Sequence, residues 1–370
     1  MQRIVISIFD SVDNPHYGGG GAWVVRRVAE RLASQYEVTV VAAAFPGSRP
    51  GVRRGVRYRY LPLGWAGPRA GQLLFHAALP FVVRTTPHDL WIESFTPPFS
   101  TSFVPAFTRR PVIGLIQFLS GGPMSARYHL PFHKVERCGL RLYGDVVTLN
   151  ETDAEVVRAV NPAARVTVTG NGVDPPPEEE VAYGSGDYVL YLGRLDVTGK
   201  GLDLLLSAQA RTRHPLPLLI AGTGPAADRT ELRRLAARHP GRVELLGAVH
   251  GQRKEQLLRD CAYLVMPSRF ETFGLVALEA MSHGKPVIHF DLPQLRWTAG
   301  GAVRVAPFDD SALAREMDRL ATDVNARYLL GCAARGVAES HRWDVVVDRY
   351  RELVSEVLSR AAGKDGERAA

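Results

Sequence analysis

Short apolar runs alternate with helical patterns along the whole chain, and this alternation constrains the fold more than any other feature. Residues 4–9, 38–43 and 112–117 are apolar runs of strand length. Between the first two runs, residues 22–34 place apolar side chains at helical spacing. Apolar strands that alternate with helices are typical of a parallel sheet covered on both faces. We therefore predict an α/β fold.

The alternation is interrupted once, at Asp174-Pro-Pro-Pro-Glu-Glu-Glu180, and it resumes at Tyr188. Consecutive prolines cannot continue a helix or a central strand, so this segment reads as a linker. A chain of 370 residues is long enough for two domains at roughly 150 residues each. We predict two Rossmann-like domains, over residues 1–173 and 188–341, joined by a linker over residues 174–187.

Open parallel sheets bind their ligands beyond the carboxyl ends of the strands. We therefore expect the functional residues in loops that follow strands. Two such domains that face each other across a cleft could share one ligand. A final amphipathic stretch, residues 342–360, could pack on either domain.

The chain is basic, with a net charge of +7 and a pI of about 9.4. Its arginines are scattered along predicted helices such as residues 229–238, whereas nucleic-acid binding favours a basic stripe. We therefore expect no nucleic-acid partner. Two explanations stay open: a compositional preference for arginine, or a local patch for a phosphate-rich ligand or an anionic membrane surface.

The cysteines are Cys138, Cys261 and Cys332, which are odd in number and far apart. They predict neither a disulfide framework nor a zinc site, and they suit a reducing cytosol. The apolar stretch at residues 73–83 is too short to span a bilayer. We expect a cytoplasmic protein, with peripheral contact at the inner face of the membrane as the alternative that its charge leaves open.

The first motif is Gly18-Gly-Gly-Gly21, which follows the first predicted strand and opens a helix. Glycines allow backbone N–H groups to approach an anion, and the helix N-terminus adds partial positive charge. The motif is not a dinucleotide fingerprint, and no P-loop lysine follows it. A flexible turn is the alternative interpretation.

The second motif follows the strand that ends at Gly193. Arg194 lies at the strand end and Lys200 lies just before the next helix. Arginine can bind two oxygens at once and lysine acts as a point charge, so this pair suits a diphosphate. A solvated surface is the alternative.

The third motif contains two glutamates separated by seven residues, Glu271 in a loop and Glu279 inside the following helix. Phe273, Gly274 and Leu275 lie at the helix start, where backbone amides are unpaired donors. Glu271 could simply cap that helix. Glu279 lies among apolar residues, where a carboxylate without a partner is costly. Its partner could be a sugar hydroxyl or a buried arginine.

Together these motifs resemble the retaining glycosyltransferases of family 4, which have the GT-B fold: two Rossmann-like domains facing across a cleft. The resemblance implies that the N-terminal domain binds the acceptor and that the helix at residues 342–360 packs back on it. It further implies a catalytic set of Arg194, Lys200 and Glu271. The implied donor-binding set is Gly19, Gly20, Gly193, Arg194, Lys200, Glu271, Phe273, Gly274, Leu275 and Glu279.

One position departs from the family pattern. Many members have a histidine at the end of the strand predicted at residues 111–117, where this chain has Gln117 and Phe118. Glutamine donates and accepts hydrogen bonds but cannot act as an acid or base. We name His16, Gln117 and Phe118 as candidate acceptor contacts and assign no general base.

The expected reaction is transfer of a hexosyl unit from a nucleotide-diphosphate sugar to an acceptor hydroxyl, with retention and without a metal. The nucleotide sugar is then a co-substrate, and no tightly bound cofactor is expected. The acceptor is a small molecule, a glycan or a lipid-linked sugar. The alternatives are a non-catalytic GT-B relative and a nucleotide-sugar epimerase.

Overall fold

The computed structural model describes residues 1–14 and 20–369. The chain divides into two compact units. Unit 1 comprises Met1–Asn171 and Asp344–Ala370, and unit 2 comprises Gly172–Trp343. Each unit contains one sheet with helices between its strands, so the predicted α/β class with two parallel-sheet domains is confirmed.

The sheet of unit 1 has eight described strands in the order β3-β4-β2-β1-β5-β6-β7-β8. Neighbouring strands pair in parallel, except that β3 runs antiparallel to β4 at the edge. The strands are β1 (Arg3–Ser7), β2 (Glu37–Ala43), β3 (Gly51–Arg53), β4 (Val56–Leu61), β5 (Leu90–Ser94), β6 (Val112–Ile116), β7 (Asp145–Thr148) and β8 (Arg165–Val168).

Helices connect these strands because parallel neighbours require crossover connections. The described helices in this part of the chain are α1 (Gly20–Leu32), α2 (Gly67–Thr85), α3 (Gly121–Tyr128), α4 (Phe132–Leu140) and α5 (Glu151–Val160). The apolar side of α1 is buried, as its spacing predicts: Val24, Val25, Val28 and Leu32 are almost fully inaccessible.

Unit 2 contains a six-stranded parallel sheet in the order β11-β10-β9-β12-β13-β14. Its strands are β9 (Val189–Leu192), β10 (Leu218–Ala221), β11 (Val243–Gly247), β12 (Tyr263–Met266), β13 (Val287–Phe290) and β14 (Ala302–Val305). Its helices are α6 (Leu202–Arg211), α7 (Ala226–Ala236), α8 (Gly251–Asp260), α9 (Leu275–Ser282), α10 (Asp310–Thr322) and α11 (Val324–Glu339).

The last helix, α12 (Trp343–Ala369), extends beyond the stretch expected from its apolar pattern. It buries Tyr350 and Val354 against unit 1. Its Arg360 forms an ion pair with Asp145, with 2.5 Å between Nη2 and Oδ1. Within the described residues, no helix combines the length and the apolar character needed to cross a bilayer.

Three strands, β3, β4 and β14, were not predicted from apolar runs. Strand β4 has exposed Arg57 and Arg59 between its buried ends, Val56 and Leu61, because it lies near the sheet edge and is not covered along its whole length. A second difference is that α9 begins at Leu275, after Gly274, whose φ is +79°. This left-handed residue places Phe273 in the loop before the helix.

In each sheet the chain order reverses once, between β1 and β5 and between β9 and β12. Such reversals open a crevice at the carboxyl ends of the strands, where α/β proteins bind ligands. The second and third motifs follow β9 and β12, beside the reversal in unit 2. The described part of the first motif, Gly20 and Gly21, comes after β1, beside the reversal in unit 1.

Candidate functional site

The two loops beside the reversal in unit 2 bring together Lys200 and Glu271. Lys200 Nζ lies 2.5 Å from Glu271 Oε1, although the residues are 71 positions apart. Ser268 Oγ donates a hydrogen bond of 2.8 Å to the same carboxylate oxygen. The lysine and glutamate side chains are 23% and 11% exposed, so the pair is partly shielded yet still accessible. Two of the three predicted catalytic residues are therefore in direct contact.

Arg194, the third predicted catalytic residue, follows β9 and has a side chain that is 67% exposed. Its guanidinium lies 3.6 Å from a carboxylate oxygen of Asp196. The backbone is held more firmly, because Tyr191 Oη donates a 2.8 Å hydrogen bond to the Arg194 carbonyl. An exposed guanidinium on an anchored backbone can turn toward an anion without disturbing packed structure.

An arginine that the sequence analysis did not select holds these two loops together. Arg269 binds Asp203 in a bidentate manner, with distances of 2.7 and 2.8 Å. It also donates a 2.5 Å hydrogen bond to the Thr198 carbonyl. These charge-assisted bonds tie the loop after β12 to the start of α6. They fix the relative position of Lys200 and Glu271.

Close backbone packing between strand-end loops depends on glycines. Gly201 has φ +67°, and a Cβ atom there would overlap the carbonyl oxygen of Pro267. A Cβ atom at Gly222 would overlap the carbonyl oxygen of Gly193. The loops after β9, β10 and β12 therefore approach more closely than any side chain would permit.

Phe273 serves as a packing anchor at the start of α9. Its ring is buried and stacks on Trp297, with ring centroids 4.5 Å apart and planes 3° apart. Trp297 Nε1 also donates a 2.8 Å hydrogen bond to the Phe273 carbonyl. Contacts of a ligand with the backbone of Phe273, Gly274 and Leu275 stay predictions.

Glu279 pairs with Lys254, a partner that the sequence analysis did not anticipate. Lys254 Nζ, on α8, lies 2.6 Å from Glu279 Oε1. The two side chains are 27% and 29% exposed, so the carboxylate is neither isolated nor deeply buried. Lysine occurs only five times in the sequence, and this rarity was the feature that could have marked Lys254 as a candidate. Lys254 orients the carboxylate of Glu279, a member of the predicted donor-binding set.

In unit 1, Gly20 is the first residue of α1, whereas Gly19 and His16 lie outside the described residues. Gln117 directly follows β6 and packs against Gly21, where a Cβ atom would lie 3.3 Å from Gln117 Cγ. Its Nε2 atom is buried and has no hydrogen-bond partner in the part of the chain that the structure describes. Buried donors normally have partners, so this amide is available to a ligand. Phe118 is partly exposed.

A buried carboxyl group anchors the loop that follows β5. Glu93 Oε1 accepts a 2.6 Å hydrogen bond from the Ser102 amide, and Tyr143 Oη donates to Oε2. His76 Nδ1 lies 2.7 Å from Ser102 Oγ and extends the network. Burial raises the pKa of Glu93 to about 7. The loop that follows β5 is thus tied to a titratable group.

This pKa predicts a pH effect on stability that the variant Glu93→Gln removes. Folding raises the pKa from its ordinary 4.5 to about 7, so the protonated group stabilises the fold below pH 4.5. That stabilisation, about 3 kcal/mol, is lost as the pH rises through 7. From pH 5 to pH 8 we expect the free energy of unfolding of Glu93→Gln to rise by about this amount relative to wild type.

Urea unfolding at both pH values measures this difference. Burial lowers the pKa of His76 and of His289. Both histidines are present in the variant and in wild type, so their contributions to the difference in unfolding free energy cancel. Glu155→Gln, at an exposed position, is the control for a changed glutamate. If the difference in unfolding free energy between Glu93→Gln and wild type stayed constant from pH 5 to pH 8, Glu93 would be ionised throughout.

Among the described residues, no group of three or more histidine, cysteine, aspartate or glutamate side chains is arranged to hold a metal ion. Lys200 lies against Glu271, and Arg194 is on the same loop as Lys200.

Comparisons with known proteins agree with this architecture. A family model described as Glycosyltransferase Family 4 matches residues 18–176, and one described as Glycosyl transferases group 1 matches residues 186–323. Sucrose-phosphate synthase from Thermosynechococcus elongatus superimposes with a TM-score of 0.79 at 20% identity, covering 97% of this chain and 100% of that chain. This likeness shows the fold.

Two curated relatives are similar in sequence. An uncharacterized glycosyltransferase of Methanocaldococcus jannaschii is 31% identical over 243 residues, which cover 58% of this chain and 61% of the relative. Phosphatidyl-myo-inositol mannosyltransferase of Mycolicibacterium smegmatis is 34% identical over 187 residues, covering 48% and 47%. The chain thus spans about half to six-tenths of the length of these relatives.

Two Rossmann-like parallel-sheet units, with the charged motifs on strand-end loops, define the GT-B class of fold. The two family models between them match most of the chain. The chain belongs to the family 4 glycosyltransferases, a family of transferase enzymes.

Proposed function

We propose that this protein transfers a hexosyl unit from a nucleotide-diphosphate sugar to an acceptor hydroxyl, with retention of configuration and without a metal ion. The observation that carries the proposal is the contact between Lys200 and Glu271, with the exposed Arg194 on the same loop as Lys200. These are the cations and the carboxylate that a donor diphosphate and a donor sugar require, on adjacent loops at a sheet reversal.

The chemical step places negative charge on the departing diphosphate. Lys200 and Arg194 stabilise that charge, and the first amides of α9 add a partial positive charge. Glu271 holds Lys200 in place before the donor arrives and then accepts hydrogen bonds from the sugar hydroxyls. Glu279, oriented by Lys254, binds the ribose hydroxyls. Most of the rate enhancement then comes from positioning and electrostatics.

No protein group acts as a general base in this proposal. Gln117 offers a buried amide donor that can orient the acceptor or the leaving oxygen but cannot take a proton. The leaving phosphate oxygen therefore removes the acceptor proton, on the face of the sugar where it departs. Same-face attack of this kind gives retention.

The acceptor is proposed to bind unit 1 and to be a small molecule, a glycan or a lipid-linked sugar. The similar mannosyltransferase is named for a phosphatidylinositol acceptor, which supports the lipid-linked option. We place the protein in the cytoplasm, with peripheral contact at the inner face of a membrane.

Release of nucleoside diphosphate from a panel of UDP-, GDP- and dTDP-hexoses tests the proposal. In excess EDTA we expect release from at least one donor, slow with water and accelerated once an acceptor is supplied. NMR of the product should show the anomeric configuration of the donor. Dependence on Mg²⁺ or an inverted product would refute those parts of the proposal.

Two other outcomes would replace the proposal altogether. Conversion of a donor into its epimer, with the diphosphate bond intact, would identify an epimerase. Binding of a nucleotide sugar without any release in the presence of a broad acceptor panel would identify a non-catalytic relative.

A further inference from the structure

Helix α2 of unit 1 and the turn before it expose large apolar side chains. Leu73 and Phe81 are 49% and 71% exposed, and Trp65, in the preceding turn, is 81% exposed. Leu73, the exposed Ala77 and Phe81 recur every four residues, which places them along one helix face. Contiguous apolar surface of this kind marks an interaction site rather than ordinary exposed surface.

The charge around this face is one-sided. No aspartate or glutamate occurs between Glu37 and Asp89, whereas seven arginines do. Some of the arginines on β3 and β4 form ion pairs with acidic residues outside this segment, as Arg53 does with Asp13 at 2.6 Å. Among the described residues, the exposed Arg69 and Arg84 on α2 have no carboxylate partner. Their charge therefore favours an anionic partner.

A cavity of about 530 Å³ adjoins the exposed face and is lined mainly by apolar groups. Arg69 and Leu73 belong both to its lining and to the exposed face, so the two surfaces are continuous. The residues that form its other walls come after β5 and β6 in the chain, at the carboxyl edge of the sheet. They include Pro97, Pro98, Met124, Tyr128, Leu130 and Phe132.

We propose that the exposed face of α2 docks on an anionic lipid surface and that the adjoining cavity receives the hydrocarbon part of a membrane-borne acceptor. Aromatic and aliphatic side chains enter the interface between headgroups and acyl chains, while arginines contact anionic headgroups. Pro97 follows β5, and Met124 and Gln117 follow β6, so the cavity and Gln117 share the carboxyl edge of the sheet. The inference deepens the proposed membrane contact, and its acceptor half also rests on the proposed transfer reaction.

Vesicle co-sedimentation of the whole chain tests the docking surface. We expect binding to vesicles of phosphatidylcholine with 30 mol% phosphatidylglycerol, and much weaker binding to pure phosphatidylcholine. Because exposed charges are screened by salt, binding should fall as NaCl is raised to 0.5 M. The variant Leu73→Ser/Phe81→Ser should weaken binding about tenfold or more, since both side chains lose apolar contact with lipid.

Leu329→Ser is the matched control, because Leu329 is a 59% exposed leucine on α11 in unit 2. It should bind vesicles like wild type. Arg69→Gln should weaken binding to anionic vesicles, whereas Arg238→Gln, an exposed position on unit 2, should not. Equal binding to both vesicle types, or equal losses in the Leu73→Ser/Phe81→Ser variant and the Leu329 control, would overturn the inference.

The cavity is tested separately with dodecyl phosphate below its micelle concentration. Calorimetry should show binding that Met124→Trp abolishes by filling the cavity, with nucleotide binding unchanged. Binding that Met124→Trp leaves intact would overturn the assignment of the cavity. Failure of the wild type to bind any nucleotide would instead concern the proposed function, since neither vesicle nor alkyl phosphate binding requires a nucleotide.

Discussion

Replacing Lys200 by alanine is expected to lower kcat/KM for the nucleotide sugar by about two to three orders of magnitude. The substitution removes a cation from the predicted diphosphate site. It also leaves Glu271, whose side chain is 11% exposed, without the lysine that neutralises it. An uncompensated carboxylate would repel the incoming diphosphate, so donor binding and the chemical step should both suffer.

The measurement is steady-state release of nucleoside diphosphate, with the donor concentration varied. Lys200→Arg keeps the charge and should retain part of the activity, because a guanidinium can still bind phosphate oxygens. Arg238→Ala removes an exposed cation just after the end of α7 and serves as the control. Wild-type kinetics in Lys200→Ala would contradict the assignment of the diphosphate site.

The largest loss of stability is expected for Gly201→Ala. Two terms add: the left-handed φ of +67° disfavours any side chain, and the new Cβ atom overlaps the Pro267 carbonyl oxygen. The first term costs about 1 kcal/mol. The overlap is with backbone that cannot rotate away, so we expect a total cost of about 3 kcal/mol or more.

Gly241→Ala is the matched comparison, because Gly241 has a similar φ of +74° but nothing lies within 4 Å of a Cβ atom there. The Gly241→Ala variant should lose only about 1 kcal/mol of unfolding free energy. Thermal and urea unfolding of the two variants isolate the contribution of close loop packing. Equal losses in the two variants would show that the loops after β9 and β12 are not held in backbone contact.

Part of this fold was predictable because the signals are local. The apolar runs and helical spacing that mark β1, α1 and β12 depend on neighbouring residues, and burial follows the same periodicity. Strands β3, β4 and β14 were not predictable in this way. Strand β4 carries Arg57 and Arg59 on positions that the sheet leaves partly exposed, so it lacks an apolar run.

The site was predictable as motifs but not as contacts. The loops after β9 and β12 are neighbours because β9 and β12 are adjacent in the sheet. The succession of strands along the sequence does not reveal this arrangement. The contact of Lys200 with Glu271 and the bidentate pair of Arg269 with Asp203 therefore had no local signal. The network around Glu93 was missed for the same reason, because it joins residues from three separate segments.

We propose above all that unit 2 binds a nucleoside diphosphate through Lys200 and Glu279. Calorimetric titration with UDP, GDP and dTDP in EDTA, on wild type, Lys200→Ala and Glu279→Ala, tests this most directly. We expect one nucleotide to bind clearly and both variants to weaken it, by about tenfold or more for a lost charge-assisted contact. Absence of binding by all three nucleotides, or equal affinity in the variants and wild type, would contradict the account.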